Sequence, residues 1–406
     1  MRVMADVTRE ADWSLIEAHL PEGWRELATE MGLVRKRPPH MGQKITDIAV
    51  ALRLVLHYAA QRGSMRLTTS AAASAGIVAI SQPGFFKWIF KIGAYLEALV
   101  ARMVDPSRFG SERWGGYSLI VADATTVERP GAKGTTSRIH YALQLADLQP
   151  RTIRVTDEKV GETMRNYDPE PGELWIVDRA YSTPPSVLYV VERGSDILVR
   201  VNRHSLPLRD ARGRRIDIPS LLASTPRRGR ARGKSVRVVT ADGREARARL
   251  SWVWLPSANA VKARANATRD GVKEAVELHL TEYLAVLTTA SRSRLTDAQA
   301  LELYRARWQV ELDFKRDKSI GQLDTLPNLL SKTIHSWLYA KVLLTLIGKR
   351  IATQNVAIPP CGLADAILPV VEKDDRMAAG PRRRTLERHA IGVADHASCS
   401  RAHHAA

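Results

Sequence analysis

The sequence predicts an α/β protein: a sheet-based core, a helical N-terminal domain ahead of it and a mostly β insertion within it. Three observations predict this. Apolar residues recur at helical spacing through the first 113 residues or so. Short β-branched and apolar runs then follow one another from Tyr117 to Val201, with one helical stretch between the last two. After a basic, strand-rich interval, a long helix opens at a capping box, Thr296 to Gln299.

The elements follow in chain order. Within 1–113, Ile45 to Ala60 carries apolar residues at helical spacing, a second helix is expected from Thr68 or Thr69 to Gly76, and a third after Ser81 with Pro83 in its first turn. The last two read either as a helix-turn-helix entering a major groove or as a bundle whose core takes most of Phe85, Phe86, Trp88 and Phe90. From 114 to 202, strands are expected at Tyr117–Asp123, Ile139–Leu145, Thr152–Val155, Leu174–Val177 and Ile197–Val201, with a helix over Pro184–Glu192. The interval 203–280 holds eleven Arg or Lys against two Asp between Arg203 and Arg237, then a strand pair around Asp242-Gly243. Its basic run reads equally as a grip on a polyanion or as a solvated loop. A second core segment, 281–350, contains the long helix. The tail 351–406 lacks periodicity, and from Gly380 onward it reads as poorly ordered or frame-altered.

Composition limits the function classes. The 406 residues include 61 Lys and Arg against 43 Asp and Glu, a net charge of +18 with a pI near 10.1. Such an excess favours a polyanionic partner through counterion release, without informing on sequence recognition. Cys361 and Cys399 are the two cysteines, which fits a reducing compartment and excludes a disulfide scaffold. His396, Cys399, His403 and His404 sit in the aperiodic tail and do not read as a zinc site. Met1–Leu33 carries acids and a Trp and does not read as a secretory signal, and the apolar stretch Trp337–Ile347 is too short to span a bilayer. A cytoplasmic protein without membrane attachment is expected.

Chemistry is concentrated in three places. On an ideal helix of about 100° per residue, Tyr304, Arg307, Glu311 and Lys318 fall within roughly 60° of one another, and Leu301, Trp308 and Leu312 flank them on one side with Leu303, Val310 and Phe314 on the other. A carboxylate, a phenol and two cations between apolar walls suit a phosphodiester with a metal ion on it. Asp123 and Asp178 each follow a short apolar run and so are expected at the rim of a sheet, although a lone Asp there also serves as a helix cap or turn former. Three acids from two strand ends and one helix can hold two hard divalent ions, and magnesium fits better than zinc because no Cys or His lies near.

These residues resemble the signature of the IS4 family of bacterial insertion-sequence transposases, a branch of the DDE transposases. Tyr304, Arg307, Glu311 and Lys318 match its Tyr, Arg, Glu, Lys motif, SLIVADATTVERPG over Ser118–Gly131 places Asp123 at its first aspartate, and LWIVDRAYS places Asp178 at its second, with Ala180 where the family usually has Gly. The resemblance runs from about Leu52 to Arg350. It implies an RNase H-like catalytic core in which Asp123, Asp178 and Glu311 hold two Mg2+ ions, Mn2+ substituting. Tyr304, Arg307 and Lys318 then bind DNA, with Arg179 and Tyr181 assisting. It further implies double-stranded DNA partners (terminal inverted repeats and a target), a homodimer on DNA, and cut-and-paste transposition by end cleavage and strand transfer. Two rivals remain: a metal-dependent DNA nuclease without strand transfer, and a catalytically defective, transposase-derived DNA-binding protein.

Overall fold

A computed structural model of the chain describes residues 9–34, 45–61, 64–104, 114–132, 134–225, 229–321, 323, 326 and 331–355. The chain divides into two units, 1–364 and 365–406, and the second lies outside the described residues, as do Cys361, Cys399 and the tail from 356 onward.

Six helices come first: α1 (Glu10–Glu17), α2 (Trp24–Glu30), α3 (Ile48–Ala60), α4 (Met65–Ser74), α5 (Gln82–Lys91) and α6 (Gly93–Met103). Local chemistry sets their starts. Asp47 accepts from Ala49 N–H at 2.9 Å to cap α3, and Ser64 and Ser81 cap α4 and α5. Helix α4 therefore begins earlier than Thr68, because Ser64 supplies the cap; Thr69 lies inside the helix with its hydroxyl bonded back to Met65 O at 3.0 Å. Gly76, at φ +68°, ends it in the left-handed conformation. Of the four aromatics of α5, Phe85 is fully buried, Phe86 and Trp88 are half-buried and Phe90 is exposed.

The strands are β1 (Ser118–Val127), β2 (Ser137–Gln144), β3 (Pro150–Asp157), β4 (Glu173–Val177) and β5 (Asp196–Arg200), with α7 (Pro184–Val191) crossing between the last two. The interval that follows holds β6 (Leu208–Arg209), α8 (Ile218–Ala223), β7 (Arg232–Val239), β8 (Glu245–Trp254), α9 (Ser257–Arg269) and α10 (Ala275–Leu280), and β9 (Tyr283–Thr288) returns to the core. All nine strands form one sheet in the order β3-β2-β1-β4-β5-β9-β8-β7-β6. Strands β1, β4 and β5 are parallel, β2 runs antiparallel to β1, and β3, antiparallel to β2, runs in the β1 direction again, which is the RNase H-like arrangement expected. The β7–β8 hairpin turns at Gly243, φ +83°, and through β9 it continues the core sheet beyond β5.

Alternation along the strands gives the sheet two faces. One, with Ile120, Ala122, Trp175, Val177, Val199, Leu250 and Trp252, packs with Val187 and Val190 of α7. The opposite face receives α11 (Asp297–Leu303), a 3₁₀ turn over Tyr304–Arg307, α12 (Trp308–Gly321) and α13 (Ser331–Asn355). Helix α13 is longer than the stretch Trp337–Ile347, and its Trp337, Leu338 and Leu343 share one core with Leu52, Tyr95 and Leu99 of the N-terminal helices. Among the described residues no helix is long and apolar enough to cross a membrane.

Candidate active site

Strand register brings the two aspartates together. Parallel pairing of β1 with β4 ends at Ala122 opposite Val177, so Asp123 and Asp178 are the next residues on neighbouring strands and point to the same face. Asp178 leaves its strand, as expected. Asp123 does not: β1 continues to Val127 against β2, and Asp123 marks instead the point where its parallel neighbour stops. The Asp178 side chain makes no cap hydrogen bond to the short 3₁₀ turn Arg179–Tyr181, so capping does not account for it.

The helical stripe reaches the same place by a route the ideal-helix reading missed. The capping box is formed, with Gln299 N–H donating to Thr296 Oγ1 at 3.3 Å and Thr296 N–H to Gln299 Oε1 at 2.9 Å. The helix then tightens to 3₁₀ over Tyr304–Arg307 before α12 begins. In a 3₁₀ turn residues i and i+3 eclipse, so Tyr304 and Arg307 lie on one line instead of about 60° apart. That line faces the two aspartates. Tyr304 Oη donates to Asp178 Oδ1 at 3.3 Å, and Arg307 Nη1 lies 3.6 Å from Asp123 Oδ2. One turn on, Arg307 Nη2 also donates to Glu311 Oε1. Lys318 lies on α12, but its side chain is outside the described residues.

Burial pushes the Asp123 carboxyl up to about 6, with the charges of Asp178 and Glu162 adding to the rise against the Ala124 N–H bond and Arg307. Burial also raises Tyr304, keeping it a phenol that donates. Burial opposes the charge on Arg307, but Tyr304, Asp178 and Glu311 raise it and hold it cationic. The donors are all hard oxygens, which suits a divalent ion such as magnesium. Asp123 and Asp178 are poised together, while Glu311 is turned onto Arg307. Among the described residues no group of three His, Cys, Asp or Glu is drawn together closely enough to hold a metal ion.

Several neighbours were not read from the sequence. Glu162 approaches from the loop after β3, raised by burial and by Asp178, with Arg138 Nε at 3.8 Å; no local pattern marks it. Arg200 ends β5, and since Val177 pairs with Val199 it stands next to Asp178 across the sheet. Tyr181 is fully buried: it shares a 3.0 Å hydrogen bond with Tyr167, whose hydroxyl donates to the Asp123 carbonyl at 3.0 Å. It is thus a support beneath Asp123, and Arg179 is exposed. On the far side of α12, Lys349 Nζ of α13 binds Asp313 at 2.8 Å and Asp317 at 2.9 Å, and Tyr141 Oη of β2 donates to Asp313. These contacts hold the helix that carries Glu311.

Comparison with known proteins points the same way. The family model described as "Transposase DDE domain" matches residues 114–342. The putative transposase InsL of insertion sequence element IS186A, from Escherichia coli strain K12, is 26% identical over 365 residues, covering 86% of this chain and 96% of the relative. The transposase of insertion sequence element IS421, from Escherichia coli, is 26% identical over 366 residues with the same coverage.

Proposed function

The chain belongs to the DDE transposase family, and from that premise we propose that it performs cut-and-paste transposition of an insertion sequence, cleaving DNA at the element ends and joining them to a target. The observation that carries this reading is the convergence of Tyr304 and Arg307 on two adjacent carboxylates, Asp178 and Asp123, with Glu311 one helical turn away. Asp123, Asp178 and Glu311 would hold two Mg2+ ions, with Mn2+ able to replace them. Bound there, the metal supplies charge neutralisation at the scissile phosphate and activation of the attacking oxygen. Closing the triad requires the Glu311 carboxylate to leave Arg307, and the freed guanidinium then has a planar fork to offer a phosphate. Tyr304 donates its hydroxyl to the same backbone, and Lys318 adds a point charge. The buried pair Tyr167 and Tyr181 holds the backbone of Asp123 in place.

The partners in this reading are double-stranded DNA ends and target, bridged by a homodimer in the cytoplasm. Incubating the protein with Mg2+ and DNA carrying its own element ends should yield excised and joined products, and both should vanish in Asp178→Asn. Cut ends that never join would favour the metal-dependent nuclease. End binding with no cutting at all would favour a defective, transposase-derived binding protein.

A further inference from the structure

Helix α11 begins on the β7–β8 hairpin, far along the sheet from the aspartates. Its first residue, Asp297, is buried at 8% exposure, and a carboxylate there is costly unless paired. Two hydrogen-bond donors and one further cation meet it. Ser251 Oγ donates at 2.7 Å, Arg249 Nε stands 2.7 Å away, and Arg292 Nη2 donates from the preceding turn. Burial opposes ionisation, but the bonds from Arg292 and Ser251 and the charges of Arg249 and Arg292 hold Asp297 below the usual carboxylate range. Arg249, itself buried, also donates to Ala290 O at 3.4 Å and to Leu295 O, so it grips the whole turn between β9 and α11. Gly233, opposite Ser251 in the register, leaves the room: a Cβ there would overlap the Asp297 carboxylate.

The clamp and the candidate active site lie in one row of the sheet. Ser251 pairs with Val286 and Val286 with Arg200, and Arg200 stands beside Asp178. From β8 to β4 is three strand spacings, roughly 14 Å. From Asp297 to Tyr304 the helix rises about 10 Å over seven residues, and the two side chains span the rest, ending at the 3.3 Å bond to Asp178. Helix α11 is therefore a ruler with its zero at Ser251.

We propose that Asp297, clamped by Ser251, Arg249 and Arg292, is a positioning residue that sets Tyr304 and Arg307 over the two aspartates, making the β7–β8 hairpin part of the frame of the catalytic site. This rests on the transposase reading above. The test uses full-length protein and labelled element-end DNA, with affinity measured in Ca2+ and single-turnover cleavage in Mg2+. In Asp297→Asn the cleavage rate per bound complex should fall about a hundredfold, the scale of a roughly 1 Å misplacement, while end affinity stays near wild type. Ser251→Ala, which keeps both guanidinium partners, should show a smaller fall of the same kind and decides the matter if Asp297→Asn does not fold. A wild-type cleavage rate per complex in the folded variants, with only the unfolding midpoint lowered, overturns the positioning role. If Asp178→Asn also cleaves normally, or wild type does not cleave, the catalytic assignment fails instead.

Discussion

Asp123→Asn should stabilise the metal-free protein while removing its chemistry. Burial lifts this carboxyl from an ordinary 3.8 to about 6, so between those values the folded chain holds a proton that the unfolded chain has released. Stability consequently falls as pH rises through that window, and the full cost, about 3 kcal/mol at 1.36 kcal/mol per pH unit, is present above about 6. The attraction of Arg307 is already contained in that value. An amide avoids the penalty and can still accept the 2.8 Å hydrogen bond from Ala124 N–H. Urea unfolding followed by tryptophan fluorescence in EDTA should therefore show the variant more stable by about 2–3 kcal/mol at pH 8 and equal to wild type near pH 4. Mg2+ at about a hundred times its Kd should close this gap, since it adds about 2.7 kcal/mol to wild type alone. A variant no more stable at pH 8, or an advantage that persists unchanged at pH 4, would refute the argument.

Glu311→Gln should abolish cleavage and spare end binding; lost binding with a normal cutting rate per complex would contradict its role. Magnesium affinity, measured by calorimetry, should be steady above about pH 6 and fall about tenfold per unit below it as protons compete for Asp123. An affinity flat through that range would count against Asp123 as a ligand. Lys349→Ala takes an ammonium from the buried carboxylates of Asp313 and Asp317 and should cost on the order of 3 kcal/mol. A chemical-denaturation midpoint unchanged from wild type would show that the α12–α13 contact depends on other groups.

What could be read from the chain was local. The apolar runs at β1, β2, β4 and β5, the Ser81 cap with Pro83, and the Asp242-Gly243 turn each declare themselves within a few residues, because propensity and capping act over that range. Boundaries slipped where a better neighbour intervened. Ser64 caps α4 ahead of Thr68, and pairing with β2 carries β1 past Asp123. The stripe drawn on an ideal helix takes a different phase in the structure, since nothing local announces the 3₁₀ turn at Tyr304–Arg307.

The sequence by itself determined the α/β class and the family signature, because residue type and short spacing carry that information. Only the tertiary structure decided that Ala122 sits opposite Val177, so that Asp123 and Asp178 are neighbours, and that α11 is measured out from a clamp on β8. Strand register and buried ion pairing join residues tens to more than a hundred positions apart, and their energies exist only once the sheet has formed.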